Sequence, residues 1–437
     1  MSWTQKGEYW VRPLDTFEKA CYIIGQRGKD VGHEHWLVMV TAKIENCSKD
    51  EIIPAFQKAW KALRLQCPDI AVDIEGYEKR YTPIRSAQDL ELWCNGTFHV
   101  EPACSADGFF THETGLMGSK VHCHWFPASQ EISLLLSEIE SPSLFPPVYA
   151  GEEYQRLPYS MQDITNASIS SSTNQEGALA EQAYQWFAHP QVDGPGIGLA
   201  PINPHANPGN TRIAEVILSK DLTNEVCLSA RRLGITVTTA VHASMISETT
   251  RMNPSSAKTH HTSACIFDLR KHFSSIRKPS DLPSLFIAAL PFNVDAHAHW
   301  RELTEKIQPF YRSSWDPTET NMIAAYQLTM EHVGENISQA WGRADEPEPA
   351  LSSIGIIEGA FLNRFYGPVT IQDVSYCVSN SYSSIAHYCY TWGGKLRLRA
   401  CFNEAFYKDD YVQNWLFSLR RNLLQNLGVQ RSLCVDH

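Results

Sequence analysis

A chain of 437 residues has room for two or three structural units, and with 43% apolar and 19% charged residues it can bury a large core rather than remain disordered. Its 37 Lys and Arg stand against 48 Asp and Glu, for a net charge of -11, and form no long basic run; this argues against a protein that binds nucleic acid by neutralising phosphates. The longest apolar run, residues 285–291, is far shorter than the roughly 20 residues of a bilayer-spanning helix, and residues 1–12 contain no apolar leader, so a cytoplasmic monomer with no membrane span is expected.

Residues 35–42 predict a strand. Ser48 and Glu51 then form a capping box ahead of a helix over 49–65, where Ile52, Phe56, Trp60 and Leu63 recur on one side. Residues 121–126 and 131–140 predict two extended segments, with Glu138 and Glu140 closing the face begun by Ile132, Leu134 and Leu136. Residues 146–210 are rich in proline and polar residues and predict a crossover. After it come a strand over 211–218 and a helix capped by Ser219 and ended by Gly234, then a helix over 236–251 and a strand over 261–269. Helices are predicted over 296–313 and 319–341, strands over 353–359, 369–378 and 385–392, a tight turn at Gly393-Gly394, a strand over 395–402 and a last helix over 409–427. The division expected is an N-terminal half (1–185), a linker (186–210) and a C-terminal half (211–437), each an α/β unit of mixed strands with covering helices. The twelve cysteines include no C-x-x-C pair and read as reduced thiols, which makes the sequons at Asn46, Asn95, Asn166 and Asn336 incidental.

Residues 388–427, with the hairpin, the Phe402-Asn403-Glu404-Ala405-Phe406 run and the helix behind it, resemble the end of the CoA-dependent acyltransferase superfamily, which includes fungal trichothecene 15-O-acetyltransferase-like proteins and peptide-synthetase condensation domains. Residues 211–245 repeat that family's strand-helix-helix order, and Arg12-Pro13-Leu14-Asp15 is a fainter echo. The resemblance implies two chloramphenicol-acetyltransferase-like halves with a tunnel between them. It also implies a general-base His in an H-x-x-x-D motif at the end of an N-terminal-half strand. That strand end reads Glu138 in place of the His, Pro142 in place of the Asp and Ser143 where a Gly often follows. The one H-x-x-x-D present, His189 with Asp193, lies about 50 residues later in the crossover, where a base lacks a rigid platform; it reads as a decoy.

The candidate catalytic groups are therefore Glu138, Glu140 and His122. A carboxyl in a dry pocket beside a like charge is held neutral and can donate a hydrogen bond. Candidate substrate-binding residues are His124, Trp125, Ser141, Tyr366, Asn380 (with its neighbour Ser381), Tyr382 and Trp392. His122-x-His124 and His33-x-His35 have metal-ligand spacing, but with no third ligand nearby in sequence no metal is expected. No nucleotide fingerprint or hydrolase elbow is present. The loss of the imidazole at its usual place favours a cofactor-independent cyclase or Diels–Alderase-like pericyclase that folds an apolar polyene or terpenoid-like small molecule by orientation. The alternatives are a CoA-dependent O-acyltransferase with a non-standard base, taking acetyl-CoA or another acyl-CoA, and a non-catalytic binding protein of the same fold.

Overall fold

The computed structural model describes residues 3–45, 52–112, 120–137, 153–161, 181, 196–269, 286–313, 325–326, 328–329, 346–367 and 369–429. Strands β1 (Thr4–Lys6) and β2 (Tyr9–Pro13) lead into α1 (Thr16–Gly25), followed by β3 (Leu37–Glu45), α2 (Ile52–Gln66), β4 (Val72–Glu75), β5 (Glu78–Tyr81), α3 (Ala87–Thr97), β6 (Phe98–Val100), α4 (Ala106–His112), β7 (His122–Phe126) and β8 (Glu131–Ser137). The chain resumes with β9 (Thr211–Ile217), α5 (Lys220–Arg232), α6 (Val237–Met252), β10 (His260–Asp268), β11 (Ile287–Asp295), α7 (Trp300–Ser313), β12 (Ala350–Ile356), β13 (Phe365–Tyr366), β14 (Val369–Val378), β15 (Ala386–Trp392), β16 (Lys395–Asn403) and α8 (Asp409–Asn426). The capping box at Ser48 and most of the helix over 319–341 lie outside the described residues.

Three larger layers result. A six-stranded sheet runs β13-β14-β3-β8-β7-β6, a four-stranded sheet runs β12-β15-β16-β9, and a smaller sheet β1-β2-β5-β4 carries α1; β10 and β11 form a separate antiparallel pair. The chain is thus the mixed α/β architecture expected. The sequence order places β14 with the C-terminal strands, yet it pairs antiparallel with β3, from Thr370 opposite Glu45 to Val378 opposite Val38. A strand from late in the chain thereby completes the sheet that early strands begin.

Alternation along β16 explains how the two main sheets meet. Leu398 and Phe402 point with Val216 of β9 into a core closed by Val226, Met245, Trp415 and Leu419 from α5, α6 and α8. Arg397 and Arg399, on the opposite face, meet the six-stranded sheet. Arg397 pairs with Asp373 at 2.5 Å and Glu215 at 3.5 Å, and Arg399 pairs with Asp107 of α4 at 2.6 Å and Glu215 at 3.4 Å. Both guanidiniums are held charged: burial opposes the charge, but the surrounding carboxylates outweigh it.

The first echo of the family has a structural reason. Asp15 caps α1 by accepting from the Glu18 N–H at 2.8 Å, while Glu18 Oε2 accepts from the Asp15 N–H at 2.9 Å, a reciprocal box. Arg12 clasps Glu18 with two hydrogen bonds of 2.8 and 2.7 Å, and Lys79 approaches Glu18 at 3.3 Å and Asp69 at 3.7 Å, all of them buried.

The C-terminal half holds a second set of buried polar groups. Ser263 Oγ lies 2.9 Å from Nε2 of both His242 and His261, and Tyr311 OH lies 3.1 Å from His242 Nδ1. His387 on β15 is also fully buried, and neither ring nitrogen has a hydrogen-bond partner among the described residues. Burial drives its pKa down to about 3. A histidine held neutral in this way contributes stability that is complete above an unfolded-state pKa of 6.5 and is lost as the pH falls toward 3. His387→Leu should therefore leave stability at pH 7 unchanged or raise it by about 1 kcal/mol. Urea unfolding followed from pH 7 to pH 5 should show a shallower acid loss in the variant, by about 1.4 kcal/mol per pH unit below 6.5. An unchanged pH slope would mean that His387 does not carry this sensitivity.

Candidate active site at one edge of the six-stranded sheet

The register of the six-stranded sheet gathers the site. Leu37 at the start of β3 lies opposite Ser137 at the end of β8, Val38 opposite Val378 at the end of β14, and His122 at the start of β7 opposite Leu135. β6 runs parallel to β7, with Phe98 beside Cys123 and His99 beside His124. The end of β8 therefore shares one sheet edge with the starts of β3 and β7, the end of β14 and the start of β6. Glu138, Glu140 and Ser141 follow β8 and lie outside the described residues, as do His189 and Asp193.

Next to this edge, the segment after β14 is tied into both sheets. Ser379 Oγ accepts from the Leu37 N–H at 2.8 Å and donates to the Glu34 carbonyl at 2.6 Å, while the Trp36 N–H donates to the Ser379 carbonyl at 2.9 Å. Asn380 is buried; its N–H donates to Thr211 Oγ1 at 2.9 Å and its carbonyl accepts from Asn403 Nδ2 at 2.8 Å. Its Oδ1 accepts from the Tyr382 N–H at 3.0 Å. These bonds lock β3, β9 and β16 together around a small cavity lined by His33, Glu34, Leu37, Thr211, Ser379 and Asn380.

His35 stands in this knot, two residues before β3. It is buried, its Nδ1 accepts from the Ser381 N–H at 3.2 Å, and its ring stacks on Trp36 (centroids 5.1 Å) and meets Tyr382 edge-on at 4.7 Å. In the neutral ring that bond assigns the remaining proton to Nε2, so the far nitrogen is a donor. Trp36 adopts φ +62°, a conformation few large residues take and one that persists only where its surroundings enforce it. The sequence offered His35 only as part of a His-x-His metal pattern. Its place beside the strand end comes from a register that links residues far apart in the chain.

The other predicted residues scatter. Trp125 and Trp392 are core side chains: Trp125 packs against Phe56 at 5.1 Å, and Trp392 Nε1 donates to the Gln372 carbonyl at 3.1 Å. Tyr366 is exposed on the short strand β13, where its hydroxyl accepts from the Asn363 N–H at 3.0 Å. His122 and His124 do share one face of β7, opposite to Cys123 and Trp125. His122 Nδ1 lies 2.9 Å from His99 Nε2, and burial together with the neighbouring imidazoles brings its pKa down to about 4. His124 is driven down to about 3 by burial and His99.

Asp107, Thr111 and His112 from α4 line, together with Arg212, Glu215 and Arg399, a cleft of about 320 Å³. These described walls are charged. Among the described residues no helix is long and apolar enough to cross a membrane.

No protein-family model matches the sequence. Over its full length the chain is 23% identical to the O-acetyltransferase pigM of Monascus ruber, covering 89% of that protein. It is 25% identical to the acetyltransferase pigO of the same organism, with 98% of this chain and 99% of the relative covered. Its structure superimposes on the TRI3 trichothecene 15-O-acetyltransferase of Fusarium sporotrichioides with a TM-score of 0.77 at 14% identity, covering 97% of each chain. The condensation domain of the Monacolin K polyketide synthase MokA follows at TM-score 0.63 and 11% identity, covering 98% of each. The two-lobed CoA-dependent acyltransferase fold is therefore established. The cyclase or pericyclase reading is overturned: two relatives that match 98–100% of the chain are acetyltransferases, and one strand end without an imidazole does not decide the chemistry of the whole site.

Proposed function

With the CoA-dependent acyltransferase fold running from one end of the chain to the other, we propose that the protein is an O-acyltransferase that moves an acyl group, acetyl in the first instance, from a CoA thioester to a hydroxyl of a small molecule. The observation that carries this reading is the match of 98–100% of the chain to two acetyltransferases. Glu138, at the family's imidazole position just past β8, is the candidate base. It removes the hydroxyl proton as the oxygen attacks the thioester carbonyl. The tetrahedral intermediate then collapses, expelling the CoA thiolate, which takes that proton back, so that one ester forms as one thioester breaks. His122 is a poorer base, since its pKa near 4 leaves it little affinity for a proton at pH 7. Ser381, Trp36 and Tyr382 fix the orientation of His35 beside the same sheet edge.

Purified protein incubated with acetyl-CoA and a panel of terpenoid and polyketide alcohols should release free thiol continuously, with the matching acetyl ester visible by mass spectrometry. No turnover across the panel, with no thermal shift on adding CoA, would overturn the proposal.

A further inference from the structure

A group of side chains that the acyl-transfer reading does not employ lies at the outer strands of the six-stranded sheet. His99 on β6 sits beside His124 on β7, and His122 shares a face with His124. One ring nitrogen from each of the three lies within 4.8 Å of the other two. His124 Nδ1 lies 3.0 Å from Glu101 Oε1, so the neutral ring donates its proton there and keeps a lone pair on Nε2. That Nε2 is buried and has no hydrogen-bond partner among the described residues, on a side chain only 3% exposed. An unpartnered buried acceptor is costly, and here it stands among other imidazoles rather than apolar groups. Phe109 and Phe126 close over the His124 ring at 4.7 and 6.2 Å, while His99 and His122 remain half-buried and open the group to solvent.

We propose that His99, His122 and His124 form a binding site for one divalent transition-metal ion, with zinc the best fit, and that Glu101 orients His124 from behind. Three imidazoles with an open fourth position are a set zinc accepts, and a carboxylate on the far nitrogen of a ligating histidine fixes its tautomer and raises its basicity. Zinc–nitrogen bonds of about 2.0–2.1 Å in a tetrahedron set the nitrogens about 3.3 Å apart. The 2.9 Å between His99 Nε2 and His122 Nδ1 must widen slightly, and the remaining gaps within 4.8 Å must close, which side-chain rotation can supply. The sequence pattern concealed the site because the third ligand comes from a different strand, 23 positions before His122.

The test uses full-length protein stripped with EDTA, desalted and titrated with zinc chloride. One equivalent should bind, and cobalt(II) in its place should give the intense visible bands of a four-coordinate ion. His99→Ala and His122→Ala should each abolish saturable binding with the fold intact by circular dichroism. Glu101→Gln should keep the one-to-one stoichiometry and weaken affinity at least tenfold. His297→Ala, at an exposed histidine elsewhere, should bind as the unaltered protein does. Absence of saturable uptake by the unaltered protein overturns the site, as does uptake that survives in the His99→Ala/His122→Ala double variant. Should the histidine variants unfold, unchanged affinity in Glu101→Gln overturns the arrangement by itself.

Discussion

Arg12→Ala should lower the unfolding free energy by about 3–5 kcal/mol, the largest effect on stability expected of any single change considered. The guanidinium makes two hydrogen bonds to Glu18, and both side chains are essentially inaccessible to water. Removing it leaves Glu18 with Lys79 at 3.3 Å and the Asp15 N–H, beside the carboxylates of Asp15 and Asp69. Burial alone would raise the Glu18 pKa, but Lys79 and Arg12 outweigh it and bring it down to about 2. A carboxyl lowered in this way contributes stability that is complete above its ordinary pKa of 4.5 and fades as the pH falls toward 2. The variant should accordingly lose less than the parent between pH 5 and pH 3. The damage should come from the stranded charge rather than from lost attraction, so replacing Arg12 by Met and Glu18 by Leu together should recover part of the loss. Urea unfolding of the three proteins decides the matter: a loss below 1 kcal/mol for Arg12→Ala would show that water or a side-chain rearrangement satisfies Glu18.

The largest effect on activity is expected at Glu138. On the acyl-transfer proposal, Glu138→Gln removes the base while keeping size and polarity, and kcat/KM for acetyl transfer should fall 10²- to 10⁴-fold. The thermal midpoint and the KM for acetyl-CoA should stay close to the parent values. His189→Ala, which breaks the other H-x-x-x-D pattern, should be kinetically silent. Near-parental rates in Glu138→Gln combined with loss in His35→Ala would move the base to the knot around Ser379 and Ser381. Loss in His189→Ala would restore the motif in the crossover.

Local physics was legible in the sequence, and long-range pairing was not. Ser219 before α5 and Gly234 after it, at φ +72°, are found as read, because caps and turns depend on a few neighbouring residues. β14 spans residues 369–378 as the sequence predicts, but its pairing with β3 is not legible there, because nothing within ten residues states which partner a strand takes. The boxes Asp15-x-x-Glu18 and Ser86-x-x-Asp89, which cap α1 and α3, are signals of the same local kind. β11 shows in the sequence only as an apolar run; its Pro291 is tolerated because, among the described residues, β11 pairs with β10 alone. At the site, Asn380 and Tyr382 stand near the strand end, whereas Trp125 and Trp392 fill the core. A tryptophan's size favours burial wherever strands stack, and composition cannot separate that from a ligand platform. His35 and the third imidazole of the cluster both depend on contacts made across strands.

The bond from the Leu37 N–H to Ser379 Oγ joins residues 342 positions apart. On a ribosome adding 5–20 residues per second, β3 must wait roughly 20–70 s for the segment that flanks it. Throughout that interval the nascent chain presents an open, largely apolar strand border, the kind of surface that recruits chaperones or neighbouring polypeptides. Heterologous production should therefore benefit from low temperature and abundant holdase chaperones, and splitting the gene between the lobes would leave each fragment with an unfinished border.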